Sequence, residues 1–184
     1  LLKKLYKDGS KYSDAGDVTQ LQHALQSAKC AQAAGADNLT VVAALLHGKL
    51  CGFVPQHTLH LGILSVCPNV TDAVAQHDVI GAWWLRMLGF HEKVPALVEG
   101  HVLAKRYLVS KEPTYYDLLN STSKATLVVQ GGPMTPAELS LFEASPLFEA
   151  CLAMRRWDEA SKNPEATTRP WEFYEDLIEE AMTE

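Results

Sequence analysis

The chain has 184 residues, a formal net charge of -6 and 47% hydrophobic residues. That length buries one hydrophobic core without disulfide or metal staples, so a single domain over 1–184 is expected. The acidic balance offers phosphates no concentrated positive field, which argues against nucleic acid, and no stretch reaches the ~18 apolar residues of a membrane span. Cys30, Cys51, Cys67 and Cys151 show no CxxC spacing and no cleavable signal segment is visible. Reduced thiols in a cytoplasmic protein are the expectation. The chain opens on Leu1 rather than Met, which leaves an upstream targeting segment or further domain open.

In chain order, the first helix is predicted from Val18 to Gly35: Leu21, Ala24, Leu25 and Ala28 recur at helical spacing, Asp17 can cap its start and Gly35 stops it. A second helix follows from about Asn38 to His47. Gly48, Gly52, Pro55, Gly62 and Pro68 then punctuate an otherwise apolar stretch, which reads as a long irregular connection over Gly48 to Asn69. Helices resume from Val70 to Leu88 and from Lys93 to Ser110. Shorter ones are expected over Thr114 to Asn120, Ser121 to Val129, Thr135 to Phe142 with Pro136 in its first turn, Ser145 to Lys162, and Pro170 to Met182. No apolar/polar alternation is bounded by hairpin signals and no unit repeats, so the fold class is all-α, a helical bundle. Gly131-Gly132-Pro133 is a loop, poor evidence for a phosphate cradle without a preceding strand.

Several polar residues sit on stripes that should be apolar. Val94, Leu97, Val98, His101, Lys105 and Leu108 share one helix face, which puts an imidazole and an amine toward the core. A buried lysine needs an anionic partner. His77 shares a face with Val74, Ile80, Gly81 and Trp84, and Asp158 with Cys151, Met154, Arg155 and Lys162, while His23 lies among Leu21, Ala24 and Leu25. Each histidine taken singly can be a hydrogen-bonded core residue, and Asp158 with Arg155 a structural ion pair. Together, four histidines from four helices and an aspartate from a fifth are what a metal centre inside a helical bundle requires, since imidazole and carboxylate suit iron, zinc or manganese.

The blocks VTQLQHAL (18–25), LLH (45–47), HDVIGA (77–82), HVLAKRYL (101–108), QGGPM (130–134) and RRWD (155–158) resemble the HD-domain superfamily. They are most similar to the small mixed-valent diiron oxygenases of phosphonate catabolism, of the 2-amino-1-hydroxyethylphosphonate dioxygenase type. The resemblance runs from about Val18 to Lys162. It implies that His23, His47 and Asp158 serve one iron and that His77 and His101 serve a second. It further implies that Lys105, Ser123, Thr126 and Arg155 contact the phosphonate, a combination of cations and hydroxyls that matches a tetrahedral dianion. Some members carry a tyrosine and a glutamate as a gate; here Tyr12 is shifted by about one place and Gly16 stands where the glutamate would fall, with Asp14 and Asp17 as neighbours, so no gate is assigned.

The family's His-Asp doublet supplies a carboxylate that bridges both metals, and in this chain that position is Gly48. Two unit charges ~4 Å apart at an effective dielectric near 20 repel by about 4 kcal/mol, and divalent ions by more, so the second ion loses much of its hold. Asp78, or His57 and His60 in the connection, are the residues that could compensate. His23, His47 and Asp158 still form a two-histidine, one-carboxylate set of the kind that binds mononuclear iron. One iron is therefore expected where the family implies two, with zinc or manganese as other occupants. The implied activity is an iron-dependent oxygenase that uses O2 to cleave the C–P bond of a 1-hydroxy organophosphonate and release phosphate. Two other readings stay open: a catalytically silent member binding one metal or a phosphate-like anion, and a metal-dependent phosphohydrolase.

Overall fold

In a computed structural model of the protein, residues 13–14, 18–48 and 76–182 are described. Nine α-helices make up most of these residues, and the all-α expectation holds. The exception is a two-residue antiparallel ribbon, β1 (Ser13–Asp14) against β2 (Val18–Thr19).

This ribbon moves the start of the first helix. α1 runs over Gln20–Ala33 because Thr19, rather than Asp17, is its N-cap: the Thr19 hydroxyl accepts from the Gln22 amide at 3.1 Å, and the Gln22 side chain accepts from the Thr19 amide at 2.8 Å. Such a reciprocal box satisfies two amides that would otherwise lack partners. Gly35, at φ 74°, ends the helix where a residue with a Cβ would be strained. α2 (Asn38–Leu46) starts on Asp37, whose side chain caps the Thr40 amide at 3.1 Å and pairs with Lys93 at 2.6 Å. Every residue of α2 from Thr40 to Leu46 is buried. A short helix apolar on all sides runs through the middle of a bundle, and whatever follows it is delivered to the interior.

α3 (His77–Met87) and α4 (Lys93–Lys111) form an antiparallel pair, and α4 also packs against α2 and α8. α5 (Tyr115–Leu118) and α6 (Ser121–Val129) follow, then α7 (Pro136–Glu143), α8 (Phe148–Ala160), a 3-10 turn at Trp171–Tyr174 and α9 (Glu175–Glu180). The expected segments 145–162 and 170–182 are thus shorter or divided. The part of the expected 70–88 helix before Gln76, and the 49–75 stretch with His57 and His60, lie outside the described residues, as do Tyr12, Gly16 and Asp17.

The core gathers Val41 to Leu46 of α2, Leu85 of α3, Leu97 and Val98 of α4, and Cys151 and Met154 of α8. α4 and α8 are in close contact at Gly100, where a Cβ would stand 2.3 Å from the Cys151 sulfur. No helix among the described residues is long and apolar enough to cross a membrane.

Candidate metal centre

His23 comes from α1, His47 caps the end of α2, His101 lies in the middle of α4 and Asp158 near the end of α8; all four are buried. The Nδ1–H of His23 donates to the Ser161 carbonyl at 2.9 Å, that of His47 to the Ala44 carbonyl at 2.7 Å, and that of His101 to the Val98 carbonyl. A carbonyl can only accept, so Nδ1 carries the proton in each ring and Nε2 is left with its lone pair. The two lone-pair nitrogens of His23 and His47 stand 3.2 Å apart. Asp158 Oδ1 is 3.2 Å from the first and 3.6 Å from the second.

Three acceptor atoms facing one point repel unless a cation lies between them. Ligand atoms ~2.1 Å from an ion and 90–110° apart stand about 3.0–3.4 Å from one another, close to the spacing found here. Among the described residues this is the group of three or more histidine, cysteine or acidic side chains whose ligand atoms all fall within 4.8 Å of one another. The donor set therefore fits a divalent transition metal.

Asp158 is divided between two tasks. Its Oδ1 faces the imidazoles while its Oδ2 accepts from Arg155 Nη1. Burial alone would push this carboxyl up; the charge of Arg155, and after it that of Lys162 at 3.9 Å, hold it well below the usual carboxylate range. Burial, with the neighbouring His77 and His47, drives the His101 imidazole well below its ordinary value, which keeps it neutral.

His77 at the start of α3 brings its Nε2 to 3.0 Å from that of His101, and the His101 ring lies 5.3 Å from the ring of His47. The second pair thus adjoins the first. Among the described residues it forms no group of three ligand side chains within 4.8 Å of one another. Asp78 is buried and burial pushes it up to about 6, and among the described residues its Oδ1 has no hydrogen-bond partner.

Gly48 lines the same cavity. Its φ is not in the left-handed region, and among the described residues an added Cβ would meet Gln20 Oε1 at 3.6 Å and His23 Cδ2 at 4.0 Å, ordinary contacts. Backbone conformation does not demand glycine there.

On the other wall of the cavity lie Lys105, Ser123, Thr126 and Arg155. Lys105 is buried, and its Nζ donates to Thr126 Oγ1 at 3.0 Å, to the Ser123 carbonyl at 3.4 Å and to Gln130 Oε1. Burial, and after it the charge of Arg155, pushes the amine down to about 8. Arg155 reaches Ser123 Oγ at 3.4 Å. Thr126 also bonds back to the Thr122 carbonyl at 3.0 Å, so helix back-bonding and the cavity wall are both real roles of this hydroxyl. Asn120, Thr122 and Lys162 line the cavity too. Lys162 shares the core-side stripe of Asp158 in the sequence, but the resemblance assigns it no role.

The HVLAKRYL and QGGPM blocks interlock. Gly131 and Gly132 turn at φ 98° and 66°, Gln130 holds Lys105, and Arg106 Nε donates to the Gly132 carbonyl at 2.9 Å while lying against Gly131, where a Cβ would meet it at 3.3 Å. The glycine pair is a strut for α4 and not a phosphate cradle.

No family model matches the chain. Among curated proteins, the hydroxymethylphosphonate dioxygenase of Gimesia maris is 33% identical over 162 residues, covering 88% of this chain and 76% of that protein. The [1-hydroxy-2-(trimethylamino)ethyl]phosphonate dioxygenase of Leisingera caerulea is 34% identical over 157 residues, 85% of this chain and 76% of that protein. The chain belongs to the phosphonate dioxygenase family. An uncharacterized protein of Acanthamoeba polyphaga mimivirus is 33% identical over 168 residues, 90% of this chain and 73% of that protein.

Proposed function

We propose that the protein is an iron-dependent oxygenase that cleaves the C–P bond of a 1-hydroxy organophosphonate and releases phosphate. The observation that carries this reading is the convergence of two Nε2 lone pairs and one carboxylate oxygen on a single point in the bundle. His23, His47 and Asp158 would hold one iron, and His77 with His101 a second, weakly held ion; zinc or manganese fits the same donors. Iron when bound supplies the redox chemistry with O2 that side chains lack.

The chain's own residues do the rest. Both relatives' substrates, as their names give them, carry a hydroxyl on the carbon attached to phosphorus. The Arg155 guanidinium and Lys105 ammonium neutralise the phosphonate, Ser123 and Thr126 donate to its oxygens, and the tetrahedral group is thereby oriented with its carbinol carbon toward the imidazoles. The phosphonate also gives buried Lys105 its anionic partner, while Gln130 and Thr126 hold the amine in place meanwhile. The resemblance to the HD-domain superfamily accords with ligands drawn from separate helices.

Gly48 favours a second reading, a silent member that binds one metal or a phosphorylated ligand, because the carboxylate that the resemblance places there is missing. Anaerobic loading with Fe(II), followed by iron analysis and O2-dependent phosphate release from hydroxymethylphosphonate, separates the two. About one iron per chain is expected for the wild type, and Gly48→Asp is expected to raise this toward two and to increase turnover, since it restores that carboxylate. One iron and no phosphate release from either protein would leave the silent reading standing.

A further inference from the structure

Arg155 is buried to 3% exposure and its planar fork is committed on two edges. One edge meets Asp158 Oδ2 through Nη1. On the other, Nε donates to Tyr115 OH at 3.0 Å and to Glu159 Oε1 at 3.2 Å, and Nη2 donates to Glu159 Oε1 at 2.9 Å. The Tyr115 hydroxyl donates in turn to Glu159 Oε1, so the three groups close a ring of hydrogen bonds. Tyr115 comes from α5 and is 4% exposed; neither it nor Glu159 lines the cavity that holds the imidazoles. Among the described residues, the hydrogen bonds of both reach the cavity lining through Arg155.

The charges give this ring a consequence. A lone guanidinium next to Asp158 would draw the carboxylate into a bidentate pair, both oxygens turned from the imidazoles. Glu159 and Tyr115 hold the Nε/Nη2 edge instead, and the remaining Nη2 proton is aimed at Ser123 Oγ, so Asp158 meets the guanidinium through Nη1 and Oδ2 alone and Oδ1 stays with His23 and His47.

We infer that Tyr115 and Glu159 are positioning residues: by clamping Arg155 they hold Asp158 Oδ1 toward the metal ligands and fix the guanidinium as an anion contact. The inference rests on Arg155 meeting the phosphonate, as proposed above. The test uses the full chain and two probes that need no turnover, Mn(II) for the metal ligands and methylphosphonate for the anion wall, with the thermal midpoint as control. Tyr115→Phe and Glu159→Gln are each expected to lower methylphosphonate affinity about tenfold, as loss of a hydrogen bond to a charged group does, and Glu159→Gln to lower Mn(II) affinity as well. In an Arg155→Lys background neither change should lower methylphosphonate affinity further, because residues acting through one group are not additive.

Additive losses in that cycle, or lowered midpoints with unchanged affinities, would mean a purely structural role and overturn the inference. Wild-type methylphosphonate affinity in Arg155→Lys would overturn the anion contact itself, and the inference with it. A loss in Arg155→Lys with none in Tyr115→Phe or Glu159→Gln would overturn the positioning role alone. Tyr115→Phe removes a single oxygen, so it decides the matter if Glu159→Gln does not fold.

Discussion

Lys105 shows how one side chain can serve binding at a cost to the fold. Its ammonium is buried, and burial with Arg155 brings it down to about 8 from an ordinary 10.5. In the folded protein the proton leaves first; between about pH 8 and 10.5 the unfolded chain holds more protons, so this group's contribution to stability rises with pH. Anion binding goes the other way, because the charge that attracts the ligand disappears. Methylphosphonate affinity relative to Lys105→Met, a ratio that cancels the ligand's own titration, is expected to fall roughly tenfold from pH 7 to 9, as titrating the binding affinity of both proteins would show. Asp158, Asp78, Arg155 and Lys162 all act on this amine, with the acids raising its value and the cations lowering it. The three histidines illustrate the opposite economy: a backbone carbonyl at Nδ1 fixes each tautomer and leaves the metal-facing nitrogen unprotonated without drawing on another side chain.

Helix α2 explains how an imidazole comes to lie at the end of an apolar run. Because α2 is buried on all sides, its C-terminal residue emerges in the middle of the bundle, and the Ala44 carbonyl turns the ring toward α1 and α8. Helices α4 and α8 bring His101 and Asp158 to the lining of one cavity, and the two helices are in close contact where Gly100 admits Cys151. Gly100→Ala is expected to destabilise the protein by about 1–3 kcal/mol, measured by denaturant unfolding, because the added methyl must displace a sulfur held in a packed core. Adding Cys151→Ala should recover part of this loss. Lowered metal affinity is expected to accompany the first change and to recover with the second, since the two helices carry ligands for the same centre.

The assembled bundle without a cation holds lone pairs against one another, and this ties stability to metal. Only the folded chain gathers His23, His47 and Asp158, so an ion at 100 times its dissociation constant should add about 2.7 kcal/mol. For a chain of this size that corresponds to a rise of roughly 5–10 °C in the thermal midpoint, lost on chelation. Asp158→Asn should abolish the response, and calorimetry with and without Mn(II) would test both. An unchanged midpoint in the wild type would mean that the triad does not hold metal.

Helix positions, the all-α class and the oddity of polar residues on apolar faces could all be read from the sequence, because periodicity and capping are local properties of the chain. His23, His47, His77, His101 and Asp158 stood out for that reason, and so did Lys105 and Arg155. The β1–β2 ribbon was missed because two residues are too few to show an alternation, and Thr19 displaced Asp17 as the cap for the same reason. Convergence is another matter. That Asp158 turns one oxygen to the imidazoles and the other to Arg155, that Tyr115 and Glu159 close around that arginine, and that Gly48 lines the same cavity as the histidines all depend on groups up to 138 residues apart meeting in space. Spacing along a chain limits which faces residues share; only packing, which matches helix against helix atom by atom, decides which of those faces meet.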